Sequence, residues 1–198
     1  MVLTLFSGVA NAASPSVLLR PIELNTPTGT LYGSLVLPKS DKPVPVVLII
    51  ASSGPTDRNG NNTQGGRNDS LKKLAWRLAQ NNIASVRFDK RGIAQSQPAA
   101  PDERTLNLDQ YVTDAVAWGN LLKADPRFAD VFVLGHSEGA LIASLAAPAM
   151  DAAGVISIAG TARPVGQVLR EQLQRNNMPP GLLQRSVELI HTLESGRT

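Results

Sequence analysis

Cysteine is absent from the 198 residues, and histidine occurs twice. Disulfide frameworks, thiolate zinc sites and cysteine nucleophiles are therefore excluded, and a histidine-rich metal centre has too few ligands; no metal or organic cofactor is expected. Aromatic residues make up 4% of the chain, too few for a platform that stacks single-stranded bases. Charge is sparse: 19 Lys and Arg against 16 Asp and Glu leave +3, spread without a basic run. Nucleic acid is not implied as a partner. No later apolar run is long enough to span a bilayer. What is present, 42% hydrophobic residues with 16 Gly and 14 Pro, is an ordinary globular composition with enough interior for one proper core.

The first residues read as an address. Met1 to Val9 is apolar and uncharged, and Ala10-Asn11-Ala12 before Ala13 has the small-residue form of a signal-peptidase site. The basic start of such leaders is missing, since the first positive side chain is Arg20. Residues 1–13 are expected to be a signal-peptide remnant and the protein to be exported, to a bacterial periplasm or outside the cell.

Val17 to Leu24 and Gly29 to Leu37 read as strands joined by the turn-rich Asn25-Thr26-Pro27-Thr28-Gly29. Val44 to Ala51 is continuously apolar and rich in β-branched residues, as a strand buried on both faces should be. Ser52 to Gly66, dominated by Gly, Asn and Ser, is a loop. A helix opened by Asp69 or Ser70 carries Leu71, Leu74, Ala75 and Leu78 at helical spacing. Ile83 to Phe88 is a strand. Leu108, Val112, Ala115, Trp118 and Leu122 mark a second helix, with Asn107 and Gln110 spaced as a cap. Val131 to Leu134 is a strand; Glu138 to Ala147 is a helix apolar nearly all round and so expected to be buried; Val155 to Ile158 is a strand. The alternation implies an α/β fold: a mainly parallel sheet with helices on both faces and the opening hairpin at its antiparallel edge. After Gly160, Val165 to Arg175 and Leu182 to Leu193 are helical, and no further strand candidate follows.

Gly135-His136-Ser137-Glu138-Gly139 has the form G-x-S-x-G and falls between a buried strand and a helix. A serine at so sharp a turn takes a strained backbone that lifts its hydroxyl above the sheet edge, and the flanking glycines let strand and helix approach. Ser137 also stands at a helix N-terminus, where free N–H groups favour developing negative charge. On this motif, the chain from Val17 to about Pro164 resembles the α/β-hydrolase superfamily, and within it bacterial esterases and serine-aminopeptidase-like hydrolases. Two further stretches carry the likeness: Ser52-Ser53-Gly54-Pro55-Thr56-Asp57-Arg58-Asn59-Gly60, similar to that family's oxyanion loop, and Asp89-Lys90-Arg91-Gly92-Ile93-Ala94-Gln95-Ser96, similar to its D-x-R-G-x-G-x-S turn. Ala51-Ser52 stands where His-Gly is usual, and Ala94 where the second glycine is usual.

The resemblance implies Ser137 as nucleophile, with the backbone N–H groups of Ser53 and Glu138 as the oxyanion hole; Pro55 has no N–H to offer. Asp57 and Arg58 either shape the pocket mouth or form a solvated loop ion pair. Asp89 and Arg91 are expected to brace a strand end. The partner expected is a small ester, or an amide. In α/β-hydrolases the acid and the histidine follow the serine in the chain. Here only His136 and His191 are available. His136 adjoins the serine and is wrongly aimed for a base, and His191 reads as an interface or edge residue of an amphipathic helix. The expectation is therefore a hydrolase core over 14–163, shortened by its last strands, with 164–198 beginning a helical cap, little or no turnover, and self-association through the exposed sheet edge. The competing classes are an aminopeptidase or amidase on the same scaffold and a non-catalytic α/β-hydrolase-like binding protein. A nucleotide-binding protein lacks support, because neither G-x-G-x-x-G nor G-x-x-x-x-G-K-[ST] occurs.

Overall fold

The computed structural model describes residues 16–63, 65–100, 102, 104 and 106–197. The expected signal-peptide remnant, residues 1–13, lies outside the described residues. Two compact units are present, one ending at Gly160 and one starting at Thr161.

In the first unit, β1 (Val17–Thr26) and β2 (Gly29–Pro38) pair antiparallel along their whole length. Asn25 and Thr26, expected in the turn, stay in the strand, and the Thr26 hydroxyl donates to the Gly29 carbonyl at 2.6 Å. The other strands are β3 (Val44–Ile50), β4 (Ala84–Phe88), β5 (Phe128–His136) and β6 (Gly154–Ile158). The sheet order is β1-β2-β4-β3-β5-β6, with β2 antiparallel to β4 and the pairs β3/β4, β3/β5 and β5/β6 parallel.

Helices cover both faces. Period-two alternation along β3 sends Val46, Leu48 and Ile50 to one side and Val47 and Ile49 to the other. On the second side α1 (Ser70–Gln80) buries Leu71, Ala75 and Ala79. On the first, α2 (Leu108–Lys123) buries Trp118 and Leu122, and α3 (Glu138–Ala146) buries Ile142 and Ala146. The start of α2 is the expected capping box: Gln110 N–H donates to Asn107 Oδ1 at 2.9 Å, and Asn107 N–H to Gln110 Oε1 at 3.4 Å.

One expectation fails at α3. Its apolar composition predicted full burial, yet Leu141 and Leu145 are 42% and 47% exposed. Burial needs a neighbour as well as an apolar side chain, and the helix buries only the sides turned to the sheet and to α2. The edge strand β6 likewise exposes Val155, Ile156 and Ile158.

The second unit contains α4 (Val165–Arg175) and α5 (Pro180–Glu194), joined by an Arg170–Glu194 ion pair at 2.8 Å. The second helix starts two residues before the expected Leu182, because Pro180 occupies its first turn, where a missing N–H costs nothing. His191 lies on α5 and is exposed. Among the described residues, no helix is long and apolar enough to cross a membrane.

Candidate active site

Three parallel strands, β4, β3 and β5, end along one sheet edge, so the loops that follow them converge, as loops at the carboxyl ends of open α/β sheets do. These loops are the three stretches that carry the family likeness.

The first is the bend between β5 and α3. Ser137 has φ 55° and ψ −117°, a region that L residues avoid. Its N–H donates to the Ile158 carbonyl at 2.9 Å, tying the bend to the end of β6, and its own carbonyl accepts from Ala140 N–H at 2.9 Å. A Cβ on Gly135 would lie 1.9 Å from the Gly139 carbonyl oxygen, and one on Gly139 would lie 2.4 Å from the Ile50 carbonyl oxygen. The helix therefore presses directly on β5 and β3, and the spacing of the two glycines about Ser137 is a packing requirement.

The second is the loop after β3. Ser53 is exposed there, and among the described residues neither its N–H nor that of Glu138 donates to a protein acceptor. The Ser52 hydroxyl donates to Thr56 Oγ1 at 3.3 Å, and the Thr56 hydroxyl donates to the Ser53 carbonyl at 2.8 Å. Asp57 accepts from the N–H groups of Asn59 and Asn61 at 2.8 and 2.9 Å. Asn61, buried, accepts at Oδ1 from Asn68 and Asp69 N–H and donates to Asp69 Oδ1 at 2.8 Å. That last bond holds the Asp69 carboxyl below the usual carboxylate range.

The third is the turn after β4. Asp89 accepts from Arg58 N–H at 2.7 Å and from the Arg58 guanidinium at 2.8 Å, so it braces the oxyanion loop as well as its own strand end. This corrects one reading of Arg58, which is largely buried and paired with Asp89 rather than in a solvated loop pair. Arg91 is also buried and forms a bidentate pair with Asp114 of α2, at 2.8 and 2.6 Å. Asp114 was missed by sequence reasoning, yet it stands on the apolar stripe with Ala115 and Trp118. An acidic side chain there is a sign of a buried partner. Lys90 was also missed as anything beyond its motif. It donates to the Ser52 carbonyl at 2.8 Å and to Glu138 Oε1 at 2.7 Å, and its ammonium lies 5.1 Å from the centre of the Tyr111 ring. Burial pushes the Tyr111 hydroxyl above its ordinary value, with the Glu138 charge acting in the same direction. Beneath the loop, burial pulls Arg87 down to about 10, and its Nε has no partner while Nη1 donates to Asn59 at 3.0 Å.

Ala94, in the place of the family's second glycine, has φ 44°. A Cβ is unfavourable in this region by about 1–2 kcal/mol, partly offset by the larger chain entropy of glycine. Ala94→Gly is therefore expected to stabilise the protein by about 0.5–1 kcal/mol in urea unfolding. A destabilised variant would mean that the turn is not under strain.

His136, half-buried at the end of β5, lines a cavity of about 430 Å³ with Ser52, Thr56 and Asn62, while His191 belongs to the second unit. A larger cavity of about 850 Å³ is bordered by Glu138 next to the bend, by Gly54 and Pro55, and by Lys90, Leu106 and Tyr111.

A six-stranded mixed sheet with a strained serine between β5 and α3 defines the α/β-hydrolase fold. Residues 65–186 match the family described as serine aminopeptidase, S33, and the chain belongs to that family. It is 32% identical over 145 residues to the esterase EstD of Thermotoga maritima, a match covering 73% of this chain and 34% of that protein. The chain thus spans about a third of that relative's length. In fold it is similar to an α/β serine hydrolase without lid from Xanthomonas campestris (TM-score 0.57, 22% identity, 90% of this chain and 93% of the other). It is also similar to a cold-adapted esterase from an Arctic intertidal metagenomic library (TM-score 0.56, 17% identity, 87% and 69%).

Proposed function

We propose that this chain is a serine hydrolase of carboxylic esters that works through an acyl-enzyme on Ser137, with the N–H groups of Ser53 and Glu138 as oxyanion donors. The observation that carries this reading is the backbone of Ser137, φ 55° and ψ −117°, held at a bend where neither flanking glycine has room for a side chain. Strain of this kind persists only where the surroundings impose it, and it stands here at the start of a helix whose first N–H is free.

The steps follow from those parts. Ser137 Oγ adds to the ester carbonyl carbon while its proton passes to a general base, and the carbonyl oxygen becomes an oxyanion facing the two N–H groups. Collapse breaks the bond to the alcohol oxygen, which takes the proton and leaves. Water then attacks the acyl-enzyme by the same route and frees the acid and the serine. Neither His136 nor His191 is assigned as the base, and little or no turnover is expected.

The family description favours a second reading, an aminopeptidase. A pocket for a peptide's terminal ammonium needs a free carboxylate. Among the described residues lining the 850 Å³ cavity the one carboxylate is Glu138, already paired with Lys90 at 2.7 Å. This supports the ester over the amine-bearing substrate.

A fluorophosphonate probe, with imidazole added at high concentration as an external base, tests the nucleophile. Mass spectrometry is expected to find the adduct on Ser137, and Ser137→Ala to abolish it. An adduct elsewhere, or one that survives the substitution, would remove the assignment. Rapid Ser137-dependent hydrolysis of a short nitrophenyl ester would instead overturn the expectation of little turnover and make His191 the candidate base.

A further inference from the structure

We propose that Lys90 is a positioning residue of the oxyanion site, whose ammonium aims the Ser53 N–H and fastens it to the start of α3. The proposal rests on the reading of Ser53 and Glu138 as oxyanion donors.

The Ser52 carbonyl and the Ser53 N–H belong to one planar group, and among the described residues no cis peptide bond is present, so the two point in opposite directions. Whatever holds the carbonyl therefore sets the direction of the N–H. Lys90 Nζ holds it, at 2.8 Å. The next carbonyl along, that of Ser53, is held by the Thr56 hydroxyl at 2.8 Å. The peptide planes on both sides of Ser53 are thus pinned, although the residue itself is exposed and lies in no helix or strand.

The same ammonium reaches the other donor's residue, with Glu138 Oε1 at 2.7 Å. Glu138 is the first residue of α3, so its side chain ties the helix start to Lys90 while its N–H remains free. Two of the three ammonium protons are committed to the two donor-bearing segments, and the ring of Tyr111 packs against the group. Lys90 is 3% exposed. A buried ammonium is an unfavourable way to fill space, since an apolar side chain would avoid the desolvation. What an apolar side chain could not do is hold a carbonyl and a carboxylate from two different chain segments at once. An oxyanion hole stabilises charge only if its donors are already aimed when the charge develops, and Lys90 supplies that order. Its charge also lies at the wall of the 850 Å³ cavity beside Glu138.

The test uses the whole chain and a fluorophosphonate probe with imidazole added as an external base, with the rate of Ser137 modification followed across probe concentrations to separate the limiting rate from the half-saturating concentration. Lys90→Met is expected to lower the limiting rate by about ten- to a hundredfold, below the loss on deleting a donor outright, and to leave the half-saturating concentration within about twofold. Lys90→Arg, which keeps a cation with several donors, is expected to restore most of the rate. Glu138→Ala keeps the N–H and removes one anchor, so an intermediate fall is expected; because that side chain is 34% exposed, this variant decides the matter if Lys90→Met does not fold. Wild-type modification at Ser137 with unchanged limiting rates in Lys90→Met and Glu138→Ala would overturn the role of Lys90 and leave the nucleophile standing. A fall that tracks a lowered melting temperature and a weakened half-saturating concentration together would also overturn it, as the mark of a merely structural residue. Absence of wild-type modification at Ser137 would overturn both.

Discussion

Gly135→Ala is expected to destabilise the protein by at least about 4 kcal/mol, in the range reserved for gross steric conflict. The added methyl would lie 1.9 Å from the Gly139 carbonyl oxygen, 2.1 Å from its carbon and 2.4 Å from the Ala140 nitrogen. All three are backbone atoms of the first turn of α3, so no side-chain rotation relieves the clash. Nor can the helix retreat freely, because Ala140 N–H is bonded to the Ser137 carbonyl and Ser137 N–H to Ile158. The sign is informative. Inside a strand, alanine normally gains about 0.5–1 kcal/mol over glycine through chain entropy, so the expectation runs against the ordinary propensity. Urea unfolding measures it, and a loss below about 1 kcal/mol would mean that α3 does not press on β5 as described. Fluorophosphonate labelling of whatever folded fraction remains is expected to fall with it, since the bend that raises Ser137 cannot form.

The second large effect is expected at Asp114. Asp114→Ala should cost about 3–5 kcal/mol, because it leaves a guanidinium buried without its counter-charge. Arg91 and Asp114 side chains are 8% and 4% exposed, and Arg91 further donates to the Ala99 carbonyl at 3.0 Å and to Thr28 Oγ1. The pair thus joins the turn after β4 to α2 and to the end of a short 3₁₀ helix, Ala94–Ala99. The bond to Asp114 holds the Arg91 guanidinium above its ordinary value, so the arginine stays charged at every working pH. Burial pushes the Asp114 carboxyl up, against the pull of Arg91. Replacing both residues by apolar ones, Arg91→Met with Asp114→Leu, is expected to recover most of the loss, since the cost lies in the stranded charge rather than in the missing attraction. Chemical denaturation of the single and double variants checks it; a double variant as unstable as Asp114→Ala would refute that account.

Much of the scaffold was legible because its signals are local. Buried strands such as Val44–Ile50 are continuously apolar and rich in β-branched residues, α1 and α2 carry stripes at helical spacing, and the Asn107/Gln110 cap lies within four consecutive residues. Ser137 was legible for the same reason, since its strain and both of its glycines fall within five residues. Less was legible at the other two loops. The likeness to known turns marked Asp89 and Arg91 as braces, but their partners, Arg58 and Asp114, lie 31 and 23 residues away. Nothing in the spacing of Ser52, Lys90 and Glu138 announces that one ammonium joins them, over 38 and 48 residues.

The amino-acid order by itself determined which segments are strand and which helix, and where the serine must bend the chain, because those depend on side-chain periodicity and on steric limits within a few residues. Which charges meet, which face of α3 stays uncovered and how the Ser53 peptide is aimed depend on distances between strand ends. Only the packed sheet decides these, because a hydrogen bond acts over about 3 Å of space, however many residues separate its partners.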